Sequence, residues 1–178
     1  MSGVLIVVIY ECLSVPRPVG AGILLGIAAA LVLLDLGRAR SPVLQDLFRK
    51  KLRLILDEKD LRGFNSSTLY FCGCALAVTL FPKAPACAGI LALALGDPLA
   101  AIVGTSVRSP RWGKVSLAGS GACFVAATLA ARWYFPWPAA LLGGTAAALL
   151  EAFSGSKLDN LAIPIGTALV LHGATYML

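Results

Sequence analysis

Apolar residues occupy this chain in long unbroken stretches. They do not alternate as half-buried strands would. Seven segments stand out, at about 3–15, 19–36, 66–81, 85–105, 116–135, 138–152 and 158–177. Stretches of this length read as helices buried on all sides or facing lipid. The connections between them are brief and proline-bearing, such as Pro82-Lys83-Ala84 and Pro136-Trp137-Pro138. The exception is 37–65. There Leu44, Leu47, Phe48, Lys51, Leu52 and Ile55 recur at helical spacing with Arg49, Lys50 and Arg53 on other faces. That pattern predicts a basic amphipathic helix lying on a membrane interface. The fold class expected is all-α, a polytopic transmembrane bundle of about seven segments plus this interfacial helix. It forms a single integral membrane domain over 1–178.

Composition supports the pattern. The chain is 58% hydrophobic and only 13% charged over 178 residues, against about a quarter charged in an ordinary soluble domain. With roughly 20 apolar residues needed per span, little chain remains for a soluble catalytic unit. Any active site is therefore expected among the spans or at their ends. The five cysteines, Cys12, Cys72, Cys74, Cys87 and Cys123, all lie in apolar stretches without metal-ligand spacing and read as packing residues.

The net charge of +6 does not point to nucleic acid, because the positive residues are unevenly placed. With a cytosolic N-terminus, the loops 37–65, 106–115 and 153–157 face the cytosol. They carry 12 of the 15 Lys and Arg residues, leaving Arg17, Lys83 and Arg132 outside. This is the asymmetry of the positive-inside rule, and the basic loop suits anionic lipid headgroups. Trp133, Tyr134 and Trp137 then form an outer aromatic belt. Gly96, Ala100 and Gly104, and likewise Gly144 and Ala148, repeat every fourth residue and predict close helix packing.

Carboxylates within the apolar segments carry the candidate chemistry, since each costs on the order of 3 kcal/mol at a bilayer centre. Asp97 sits in Gly96-Asp97-Pro98. Pro98 donates no amide proton, so the Ala94 carbonyl loses its helical partner. Glu151 ends the sixth segment, Asp159 and Asn160 begin the seventh, and Pro164 frees the Asn160 carbonyl in the same way. All three acids fall toward the cytosolic side, and hard oxygen ligands of this kind suit magnesium held jointly with substrate phosphates. Ser156-Lys157-Leu158-Asp159 also fits a helix capping box. Arg108, Arg111 and Lys114 precede Ser116, Gly119 and Ser120 at the start of the fifth segment, where cations and unpaired helix amides suit phosphate. Glu11 and Asp35 read as interfacial acids, and His172 as a core or interfacial histidine.

The same residues carry a resemblance. Gly96-Asp97-Pro98-Leu99-Ala100-Ala101-Ile102-Val103-Gly104 resembles the central motif of the dolichol kinase, phytol kinase and CTP-dependent diacylglycerol kinase family. Lys114-Val115-Ser116-Leu117-Ala118-Gly119-Ser120 is similar to the stretch that follows it, with Ala118 where the family usually has Glu. Glu151-Ala152-Phe153-Ser154 with Leu158-Asp159-Asn160-Leu161-Ala162-Ile163-Pro164 resembles the C-terminal motif, and Glu58 to Tyr70 the upstream loop. The likeness spans about residues 50–165, with the catalytic motifs in 85–165.

The resemblance implies a CTP-dependent kinase that phosphorylates a lipid alcohol (polyprenol, phytol or diacylglycerol) at the cytosolic interface with magnesium. Asp97, Glu151 and Asp159 are then the catalytic and metal-binding residues. Arg108, Arg111, Lys114, Ser116, Gly119, Ser120, Lys157 and Asn160 bind the nucleotide. A related CTP-using phosphatidate cytidylyltransferase is the alternative, and a non-catalytic transporter or lipid-binding bundle the second. Expected partners are CTP, the lipid alcohol and membrane lipids, with no nucleic acid. Oligomeric state stays open, a homo-oligomer included.

Overall fold

A computed structural model describes residues 2–41, 64–113, 115–154 and 157–177. Seven helices lie among them: α1 (Ser2–Cys12), α2 (Arg17–Arg40), α3 (Ser66–Leu80), α4 (Lys83–Ser106), α5 (Leu117–Arg132), α6 (Trp137–Phe153) and α7 (Asp159–Ala174). They match the seven apolar segments to within a few residues, so the all-α expectation holds. The amphipathic helix expected at 44–55, Lys114 and Ser156 lie outside the described residues.

Proline and polar caps set the boundaries. Pro16, Pro82 and Pro136 occupy the N-cap positions of α2, α4 and α6 in extended conformation, where a missing amide costs nothing. Asn65 caps α3 by accepting from the Ser67 amide at 3.2 Å, and Ser116 caps α5 by accepting from Gly119 at 3.0 Å. Between α4 and α5 the chain makes a feature that periodicity did not predict. It is a minimal antiparallel hairpin of β1 (Arg111–Trp112) and β2 (Val115–Ser116), with Arg111 opposite Ser116. Gly113 in its turn has φ +63, a left-handed conformation that glycine adopts without strain.

Helix α4 is the axis of the bundle. Ala86, Cys87, Ala88, Ile90 and Ala92 are wholly buried, and α1, α3, α5, α6 and α7 pack around the helix. The small-residue stripe does what its spacing predicts. A Cβ added at Gly96 would lie 2.9 Å from the Cys123 sulfur, and one at Gly119 2.8 Å from the Ala100 carbonyl. Gly144 packs in the same way, 2.9 Å from the Phe124 carbonyl. Both internal prolines sit in unbroken helices. The Asn160 carbonyl, freed by Pro164, lies against the bare Cα of Gly73 on α3.

Two helices, α2 and α4, are long and apolar enough to cross a membrane; each has 24 residues, with mean hydropathy 2.4 and 2.0. Helices α3, α5, α6 and α7 have 15 to 17 residues. At 1.5 Å per residue they reach about 25 Å, just short of a hydrocarbon core of about 30 Å. The apolar segments read for α3, α5 and α7 are longer because they include capping and turn residues, whereas α6 extends one residue past its segment at each end. Large apolar side chains cover much of the exterior, including Ile23, Leu33, Leu129, Leu142 and Leu169, each at least half exposed.

Two acids outside the main cluster have distinct settings. Glu11, at the end of α1, pairs with Lys83 at 3.1 Å and is partly exposed, as an interfacial residue should be. Asp35 corrects the interfacial reading. It is 8% exposed, pairs with buried Arg38 at 3.1 Å, and accepts from Thr68 Oγ1 at 2.7 Å and the Asn65 amide at 2.9 Å. The cluster joins the end of α2 to the start of α3. Cys74, Cys87 and Cys123 are buried as expected, whereas Cys12 is exposed. His172 stacks edge-on with Phe81 and Tyr176.

Candidate active site

Asp97, Glu151 and Asp159 come from three helices and face one cavity. Asp97 lies on α4 directly before Pro98, Glu151 in the last turn of α6, and Asp159 at the first position of α7. The cavity has a volume of about 650 Å³, and Thr105, Arg111, Ser116 and Ser154 add polar side chains to its wall, which Gly119 also lines. Mutual repulsion among carboxylates favours a cation between them.

Each side chain is held by its neighbourhood. Glu151 Oε2 accepts from Ser120 Oγ at 3.1 Å, which ties the end of α6 to the first turns of α5. Asp159 Oδ1 accepts from the Asn160 amide at 2.8 Å. Helix α7 begins at Asp159 itself, with Leu158 at the N-cap and no side-chain cap bond. The capping box expected from Ser156 lies outside the described residues; Asp159 lines the cavity. Arg111 Nη2 donates to the Gly104 carbonyl at 3.2 Å, which anchors an exposed guanidinium over the C-terminal turn of α4.

The start of α5 departs from expectation. Its first amides are already satisfied: Leu117 donates to the Pro110 carbonyl at 3.0 Å, Ala118 to Ser109 Oγ at 3.2 Å, and Gly119 to Ser116 Oγ at 3.0 Å. Ser109 and Pro110, just before the hairpin, and Ser116 within it supply these acceptors. Among the described residues, the positive end of the helix dipole and the guanidinium of Arg111 face an anion here. Gly119 is required by the close approach of α4 as well as by the cavity wall.

The other residues expected at the site divide. Arg108 is exposed and does not line the cavity. Lys157 Nζ donates to the Phe64 carbonyl at 3.2 Å, and Lys157 does not line the cavity. Asn160 lines a second cavity, of about 270 Å³, together with Ser2, Ser67, Tyr70 and Asp97. Asp97 thus forms part of the wall of both cavities. The hydroxyls on α3 were missed because Ser67 and Tyr70 open a segment that otherwise reads as apolar. Their signal was three-residue spacing on one helical face.

The donor set fits magnesium in an open site. Among the described residues no group of three His, Cys, Asp or Glu side chains forms a ready-made metal cage. Magnesium is commonly held by one or two carboxylates, with water and substrate phosphates completing the shell, and the acids facing this cavity supply that complement. Comparison with protein-family profiles, curated proteins and solved structures finds no match to this chain.

Proposed function

We propose that this chain is a multi-pass integral membrane enzyme that transfers phosphate from CTP to a membrane lipid alcohol on the cytosolic side. The observation that carries this reading is the meeting of Asp97, Glu151, Asp159 and Arg111 on one cavity of about 650 Å³. That volume is within the roughly 300–1,000 Å³ of small-molecule sites. The preference for CTP and a lipid alcohol rests on the three ordered motifs.

On this reading, Asp97 and Asp159 would hold magnesium, which when bound would supply neutralisation of charge on the phosphate oxygens. Glu151, oriented by Ser120, takes the proton of the acceptor hydroxyl. The acceptor oxygen bonds to the γ-phosphorus, the bond from that phosphorus to the β,γ-bridging oxygen breaks, and CDP leaves. Arg111 offsets the charge on the transferring phosphoryl group. Phosphoryl transfer depends chiefly on positioning and charge stabilisation, so these residues suffice without a covalent nucleophile. Ala118 brings no carboxylate to α5, so the acids come from α4, α6 and α7 alone.

The test is transfer from γ-labelled CTP to polyprenol, phytol or diacylglycerol by purified protein in detergent. Label in the lipid supports the kinase. Pyrophosphate release with a CDP-lipid product would replace it with the cytidylyltransferase reading. Ion flux in liposomes without turnover would favour transport.

A further inference from the structure

Beside the polar cavity lies a second large cavity, of about 550 Å³, between the β-hairpin, the start of α5 and the end of α6. Its walls are mainly Val115, Leu117, Ala148, Leu149, Ala152 and Phe153. Arg111, Val115, Ser116, Ala152 and Phe153 line both cavities, so the two adjoin along a shared wall. Ser120 lines the apolar cavity and donates to Glu151, which lines the polar one. The outer lip is open: Leu117 is 70%, Leu149 52% and Phe153 78% exposed. These residues continue the apolar exterior of the bundle into the groove.

We infer that this groove seats the hydrocarbon chain of the acceptor lipid and delivers its hydroxyl to Glu151, an inference that rests on the lipid-kinase reading above. A chain passing from bilayer to groove exchanges one apolar surrounding for another, so its burial alone selects nothing. Selection falls to the polar end, where the Ser120–Glu151 pair meets the hydroxyl. Arg111 is the one charged side chain among the described residues lining the groove. It sits on the shared wall, where the product has become an anionic lipid phosphate.

The test is photolabelling in nanodiscs, without nucleotide, using a long-chain primary alcohol that carries a diazirine at its far end. Crosslinks are expected on the 117–120 and 148–153 peptides, displaced by unlabelled long-chain alcohol. Ala148→Trp fills the groove from a position that does not line the polar cavity, and labelling should fall at least about tenfold, a loss of the size one well-placed contact produces. Leu117→Trp, at an exposed position on the lip, gives the same reading if Ala148→Trp does not fold. Crosslinks confined to other helices, or full labelling of both variants, would overturn the inference, and labelling by a photoreactive CTP analogue in their place would assign the groove to the nucleotide. Groove crosslinks without transfer from γ-labelled CTP would sink the kinase reading and leave the groove standing; transfer with crosslinks elsewhere would do the reverse.

Discussion

At Asp97 a half-buried carboxylate and an exposed proline sit side by side on a helix whose buried residues are apolar. The carboxylate lines two cavities, so its replacement bears on binding more than on packing. Asp97→Asn keeps the volume and removes the charge. Turnover is expected to fall by about 100-fold or more, the usual loss when one preorganised charge-stabilising group is removed. The unfolding midpoint in detergent should change little, and an active Asp97→Asn enzyme would remove Asp97 from the mechanism. Glycines give a contrasting case. Gly73→Ala drives a methyl into the Asn160 backbone carbonyl, which cannot swing away, and overpacking of this kind costs about 1–3 kcal/mol. Gly22→Ala and Gly26→Ala meet nothing within 4 Å on the exposed face of α2 and should stabilise by about 0.5–1 kcal/mol each through helix propensity. Thermal unfolding of the three variants side by side checks the sign of each.

Elements here are joined by a few polar contacts whose partners lie on different helices. Breaking the Asp35 cluster by Asp35→Ala leaves the buried Arg38 guanidinium without its nearby carboxylate, a change that typically costs about 3–5 kcal/mol. The double variant Asp35→Ala, Arg38→Leu should recover most of that loss, and equal instability of the single and double variants would show that the pair is not the source. The helix boundaries were legible because proline and serine fix them locally. The three acids were legible because each stands out against apolar neighbours. Asp35 was misread because Arg38, its partner one turn later, had been counted with the basic loop. The hairpin was invisible because strands of two residues have no period to detect. The turn before the hairpin and Ser116 within it take up the first α5 amides, so on the proposed reading phosphate would meet Arg111 instead.

For the molecule as a whole, the exposed apolar surface and the distribution of cations together argue for burial in a bilayer. Two helices meet the length of a span, and α1, α3, α5 and α6 are apolar but shorter. On the proposed orientation, Cys12 faces the outside, and it is the exposed cysteine of the five. A membrane-impermeant maleimide applied to intact cells should therefore label Cys12, and Cys12→Ser should lose the signal. Labelling only after the cytosolic face is opened would reverse the orientation and place the acid cluster on the other side.

The contact between the end of α2 and the start of α3 has one further consequence. The Asp35 cluster and the packing of the two helices hold both ends of the 42–63 segment in place at its base. The contacts that join α2 to α3 are made by residues outside that segment, so they can form whether or not the linkage is continuous. Cutting it should give a split protein: fragments 1–50 and 51–178, made together, should reassemble and co-purify through the interface that the intact chain already closes.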